Sequence, residues 1–219
     1  YRGCVLLHLP FPLWLIIIYV SSKRNIECEN TPNMKTIYDI EVAGLKRSLR
    51  LYSVSDKMKI AAFILFGDVE LAVNSASELL KAAPEFDILV TAEAKSIPLI
   101  HEMAKQAGRN DYIIARKAPK VYMDNLLDVT VHSITTQREQ HLCIGDTEIE
   151  KMNGKRCLIV DDVISTGESL EALEKLVEEA GGKIVGRMAV LAEGDAIDRK
   201  DITVLGHLPL FDNEGNPIC

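Results

Sequence analysis

Two carboxylates, Asp161 and Asp162, stand side by side directly after the apolar run Cys157-Leu158-Ile159-Val160. A loop of small residues follows, Ser165-Thr166-Gly167-Glu168-Ser169, and then a helical pattern. Each part of this order suits a sugar phosphate. A helix N-terminus and its loop N–H groups attract a phosphate dianion. Two hydroxyls add donors, and Gly167 lets the backbone approach closely. Paired carboxylates can accept hydrogen bonds from vicinal hydroxyls. The competing reading is a strand ending in a solvated acidic turn, with Ser165 or Thr166 capping the helix. It accounts for one hydroxyl but not for two acids, two hydroxyls and a glycine in sequence.

These residues need a frame to hold them. Residues 35–42 alternate as a strand, Ala43-Gly44 makes a turn, and residues 45–51 read as the hairpin partner. Residues 68–83 carry Val69, Leu71, Ala72, Ala76, Leu79 and Leu80 at helical spacing, and Pro84 ends that helix. Residues 86–91 read as a short buried strand. Residues 96–107 read as a helix with Pro98 in its first turn and Gly108 closing it. A strand over 112–116 precedes a polar stretch, 118–125. Residues 126–135 and 140–144 form a candidate strand pair, and Asp146 caps a short helix ending at Gly154. The acidic pair then closes a strand over 156–162. A helix over 169–180, stopped by Gly181-Gly182, leads to strands at 183–191 and 202–208. Strands alternating with helices predict an α/β fold: a central, mostly parallel sheet with helices on both faces.

In such sheets ligands bind beyond the carboxyl ends of the strands. Two further segments fall there. Glu93-Ala94-Lys95-Ser96 follows the strand at 86–91, and its N–H groups could hold a second anion beside Lys95. Read alone, it is an ordinary turn with Ser96 as the N-cap. Arg116, Lys117 and Lys120 place three cations in five positions after the strand at 112–116. A solvated basic loop is the usual meaning of such a run. Its place at the end of a central strand favours anion binding.

The segments TAEAKSIPLIHEMA, ARKAPKVYM and LIVDDVISTGES together resemble the purine branch of the type I phosphoribosyltransferases. They look most like the adenine enzymes, while Asp124-Asn125-Leu126-Leu127 and the following VTVHSITTQ resemble the xanthine enzymes. The resemblance covers residues 34–219. It implies the type I phosphoribosyltransferase fold with a small hood region. It implies that Asp161 and Asp162 hold the ribose of phosphoribosyl pyrophosphate (PRPP), with Arg116 and Lys117 sharing the catalytic work. Ser165, Thr166, Gly167, Glu168 and Ser169 would cradle the 5′-phosphate. Glu93, Ala94, Lys95, Arg116, Lys117 and Lys120 would contact pyrophosphate, with a non-proline cis peptide in the first of these loops. Lys95 departs from the serine-arginine or serine-glycine of the relatives. Mg²⁺ would be carried by PRPP, near Asp161 and Asp162, with no protein ligand of its own assigned. The segment 118–140 would close over the site and exclude water. Glu193, Leu208 and Phe211 are candidates for the base neighbourhood. Adenine is the favoured base, with xanthine or hypoxanthine as alternatives, and so is a PRPP-sensing regulator without catalysis. Homodimers and a cytoplasmic location belong to the same implication.

The bulk numbers agree with an enzyme of this kind. The chain has 219 residues, 47% hydrophobic and 26% charged, enough for one good core. A net charge of −7 without a dominant basic block argues against nucleic acid as a ligand. Five scattered cysteines without a CxxC fit reduced thiols, with Cys157 buried in a strand. His101, His132 and His141 have no zinc spacing and read as structural or surface residues. Residues 1–33 differ from the rest. Residues 5–20 are nearly all apolar, and Lys23 and Arg24 follow. The expectation is a leader outside the folded domain, with translation starting at Met34. The alternative is a membrane anchor.

Overall fold

The computed structural model describes residues 34–132 and 139–218, so the expectations for residues 1–33 and for residues 133–138 of the covering segment lie outside it. Strands β1 (Ile37–Val42), β2 (Leu45–Ser53) and β3 (Lys59–Ala61) open the fold. Helix α1 (Val69–Ala82), β4 (Ile88–Ala92), α2 (Ile97–Gln106) and β5 (Ile113–Ala115) follow. Next come β6 (Leu127–His132), β7 (Glu139–Ile144), α3 (Asp146–Met152), β8 (Arg156–Ile164) and α4 (Glu168–Glu179). Strand β9 (Lys183–Glu193), a 3₁₀ turn over Gly194–Asp198, β10 (Thr203–Leu208), β11 (Leu210–Phe211) and β12 (Pro217–Ile218) complete it.

The central sheet has the order β10-β9-β8-β4-β5, and every neighbouring pair is parallel. Strand alternation divides its side chains between two apolar layers. Leu89, Leu158, Val160, Met188 and Val190 pack on one face with Leu71, Leu79, Leu99 and Met103 of α1 and α2. Ile88, Val90, Cys157, Ile159 and Ala189 pack on the other with Leu173, Leu176 and Val177 of α4. The predicted two-faced α/β sheet is therefore present, and Cys157 is buried in it.

The order of strands creates the crevice. From β4 the chain moves outward to β5, whereas from β8 it moves the other way, to β9 and β10. Strands β4 and β8 are neighbours, with Ile88 beside Cys157 and Val90 beside Ile159. The loop after β4 leads to α2 on one face, and the loop after β8 leads to α4 on the other. The two loops part at a topological switch point, where open α/β sheets bind ligands.

A second, antiparallel sheet, β1-β2-β3-β11-β12, forms the hood. Both ends of the domain build it: β11 pairs with β3 through Phe211 and Lys59. Phe211 is fully buried, its ring centroid 4.9 Å from that of Tyr38 in an edge-on arrangement, so it packs into the hood core. Arg47 of β2 ties the hood to α1: its Nε lies 2.6 Å from Oδ2 of Asp68, whose Oδ1 caps the helix by accepting from the Leu71 N–H.

Two local expectations need correction, and one competing reading falls. The acidic pair does not terminate its strand, because β8 continues to Ile164, still paired with β9 as far as Ala192. Helix α3 is capped by Gly145, whose N–H donates to Glu148 Oε2 at 3.1 Å, and not by Asp146. Helix α4 starts from Gly167 at φ +84°, a left-handed conformation that glycine adopts readily, so the competing reading with Ser165 or Thr166 as its cap does not hold.

Candidate active site at the switch point

Strand β8 carries the acids to the crevice, and α2 brings Ser96 to meet them. The Ser96 hydroxyl donates to Asp161 Oδ1 at 2.5 Å and accepts from the Asp162 N–H at 2.9 Å. The same N–H also donates to Asp161 Oδ1 at 2.8 Å. Ser96 holds the N-cap position of α2, as in the reading of an ordinary turn, but its side chain makes no capping bond and serves the acids instead. Burial first, and the neighbouring Asp162 carboxylate second, push the Asp161 carboxyl up to about 7. Asp162 is 2% exposed, and Lys95 Nζ lies 2.8 Å from its Oδ2. A carboxylate so deeply buried needs such a partner.

Three hollows meet at these residues. A small one of about 50 Å³ lies under the loop before α4, lined by Asp161, Ser165, Thr166, Gly167 and Ser169. Its shape and the N-terminus of a 12-residue helix suit a phosphate. Glu168 opens that helix. A second hollow of about 220 Å³ is lined by Glu93, Ala94, Lys95, Ser96, Lys117 and both acids. The Glu93–Ala94 peptide in its wall is cis, as the resemblance implies. A third, of about 280 Å³, opens between hood and sheet. Residues 60–64 of the hood line it, with Lys95, Val163, Ser165, Glu193 and Leu208.

The three cations after β5 do not act alike. Lys117 borders the second hollow. The Arg116 guanidinium donates to Glu93 Oε1 at 3.3 Å and to the Tyr122 hydroxyl at 3.2 Å, so it braces the loop after β4. The Lys117 N–H donates to Glu93 Oε2, also at 3.3 Å. Lys120 lines none of the three hollows.

Arg199 is an addition that the sequence pattern did not suggest. Asp201 holds its Nε and Nη2 at 2.9 and 2.6 Å. Its Nη1 lies only 2.8 Å from where a Cβ on Gly167 would stand. Glycine is favoured there by its φ, while the guanidinium beside it is the end of a flexible side chain that can shift. The run Asp198-Arg199-Lys200-Asp201 reads as a solvated turn, and nothing local to it points to Gly167.

This geometry has relatives. The model of the phosphoribosyl transferase domain family matches residues 70–215. The chain belongs to that family. The phosphoribosyl transferase match starts at α1 and takes in the loops after β4, β5 and β8, while hood residues 60–64 of the third hollow precede it. Among curated relatives, the adenine phosphoribosyltransferase of Bifidobacterium animalis subsp. lactis is 37% identical over 128 residues, 57% of this chain and 60% of that protein. The hypoxanthine/guanine phosphoribosyltransferase of Methanococcus voltae is 35% identical over 118 residues, 53% of this chain and 59% of that one. The chain thus spans about three-fifths of the length of these relatives. In fold, it is similar to the adenine phosphoribosyltransferase of Thermoanaerobacter pseudethanolicus, with a TM-score of 0.56 at 22% identity, over 78% of this chain and 95% of that structure.

Proposed function

We propose that this phosphoribosyl transferase moves the phosphoribosyl group of PRPP onto a ring nitrogen of a purine base, releasing pyrophosphate. The observation that carries the reading is the place of Asp161: it lines both the phosphate-sized hollow under Gly167 and the cation-lined hollow beside Lys95 and Lys117. A ribose bridging these hollows would present its hydroxyls to Asp161 and Asp162. The 5′-phosphate would sit under the start of α4, and the pyrophosphate beside Lys95 and Lys117.

Breaking the bond at C1 leaves positive charge on the ribose ring and negative charge on the departing oxygens. Fixed charges aimed at such positions are commonly the largest catalytic contribution. The acids face the ring and the lysines face the leaving group. Lys95 is ion-paired with Asp162 in the free protein, so substrate binding exchanges one anionic partner for another. Among the described residues no cluster of three or more His, Cys, Asp or Glu could hold a metal ion by itself. The hard oxygens of Asp161 and Asp162 do fit Mg²⁺ held mainly by substrate phosphates. Bound in that way, Mg²⁺ supplies Lewis-acid stabilisation of the pyrophosphate oxygens. The protein's part is to orient the ribose and to keep the carbon open to attack by the base.

The same reading takes the enzyme as a cytoplasmic homodimer in nucleotide salvage. Exposed Val121 and Tyr122 after β5 support a surface for a second copy. No helix among the described residues is long and apolar enough to cross a membrane. The test is pyrophosphate release from PRPP with Mg²⁺ and a panel of purines. The pair of changes Asp161→Asn and Asp162→Asn should lower turnover by orders of magnitude while the protein stays folded. Near-normal turnover in that variant, or PRPP binding without turnover in the wild type, would defeat the enzyme reading; the second result would favour a PRPP-sensing regulator.

A further inference from the structure

Among the described residues, Glu193 is the one acidic side chain lining the hollow between hood and sheet, and the transfer chemistry above does not use it. It ends β9, next to Leu208 of β10 in register, and it is half-buried. The other charged residue there is Lys95, already engaged by Asp162. The remaining wall is largely apolar: Ile60, Ile64, Val163 and Leu208. A volume of about 280 Å³ is small for a ligand cleft, and suits a flat bicyclic base of ten heavy atoms better than a larger ligand. Apolar walls with few placed polar groups leave selection to those groups.

We infer that Glu193 is the specificity-determining residue for the base. It accepts a hydrogen bond from the exocyclic amino group of a neutral aminopurine, adenine being the simplest, and disfavours xanthine, which loses a ring proton near neutral pH. The inference rests on the phosphoribosyl transfer reading and sharpens it. A half-buried carboxylate attracts an N–H donor and repels both a carbonyl oxygen and an anionic ring. Burial raises the Glu193 carboxyl above its ordinary value while Lys95 draws it back. Sites built to hydrogen-bond one substrate group reject analogues lacking it strongly, because the site's own polar group is left unpaired.

The experiment measures kcat/KM for adenine, hypoxanthine, guanine and xanthine with the wild type, Glu193→Gln and Glu193→Ala. PRPP binding is followed by calorimetry in each, as a check on folding and on the sugar site. The wild type should prefer adenine to xanthine. That ratio should fall about tenfold or more in Glu193→Gln and further in Glu193→Ala, while PRPP affinity stays within twofold. A wild type that prefers xanthine overturns the inference without any variant. So does an unchanged ratio in folded variants, and in both cases the transfer reading stands. Absence of turnover with every purine overturns both.

Discussion

Removing the Ser96 hydroxyl tests whether the acid pair is organised as described. In Ser96→Ala, Asp161 loses a donor at 2.5 Å and the Asp162 N–H loses an acceptor at 2.9 Å. That N–H keeps Asp161 Oδ1 at 2.8 Å, so no buried donor is orphaned. A hydrogen bond to a charged group contributes about 1.5–3 kcal/mol and a neutral one about 0.5–1.5 kcal/mol. The Asp161 carboxyl titrates near 7, against about 4 for an ordinary aspartate. Above that pH the lost bond is charge-assisted, and the variant should be destabilised by about 2–4 kcal/mol. Well below it both bonds are neutral, and the loss should be about 1–3 kcal/mol. Linkage gives the same sign. A carboxyl raised by folding contributes stability that is present below pH 4 and lost as pH rises through about 7. The Ser96 donor holds that value down, so its removal extends the loss to higher pH. Urea denaturation of both proteins at pH 5.5 and 8.5 should show the stability gap widening by about 1 kcal/mol at the higher pH. A gap that is constant or narrows with pH would refute the coupling of Ser96 to an ionising Asp161.

Two other substitutions probe the frame. Gly167→Ala places a Cβ at φ +84° and 2.8 Å from Arg199 Nη1, so about 1–2 kcal/mol of stability should be lost and PRPP affinity should fall. Adding Arg199→Ala relieves the crowding but not the backbone penalty, so melting curves of the double variant should recover only part of the loss. Asp87→Asn acts at the opposite ends of the strands. The Arg156 side chain, with help from its own N–H, holds the Asp87 carboxyl down to about 2. The contribution of Asp87 is therefore present above pH 4 and lost as pH falls through about 2. The variant should unfold at lower urea near neutral pH, differ less from the wild type near pH 2, and keep its kcat. A lowered kcat with unchanged stability would show that the clamp reaches the site.

The parts of this molecule that were legible in the sequence are those whose signal is local. Periodicity revealed α1, α2 and α4, and the apolar runs revealed β4, β8 and β9. Loop composition marked the phosphate hollow, because glycine and hydroxyls at a strand-to-helix turn have few other uses. The end of β8 was misplaced because hydrophobicity stops at Val160 while the ladder is set by a neighbour: Val163 and Ile164 still pair with Leu191 and Ala192 of β9. The strands β3, β11 and β12 are two or three residues long, too short to show a period, and they exist because the two ends of the domain meet.

Ser96 and Arg199 show why the rest of the site was not legible. Ser96 lies 65 residues from Asp161, and by itself a serine before a helix is a cap. What makes it a ligand of the acids is the register of β4 against β8. Val90 stands beside Ile159, so Ser96, at the start of α2 just beyond β4, and Asp162 on β8 reach the crevice side by side. A slip of one residue would turn Leu89 and Val90 to the wrong apolar layers, so the two core clusters also enforce the site. In this domain packing and chemistry share one constraint: the burial that holds β4 in register is what delivers a hydroxyl to a pair of carboxylates.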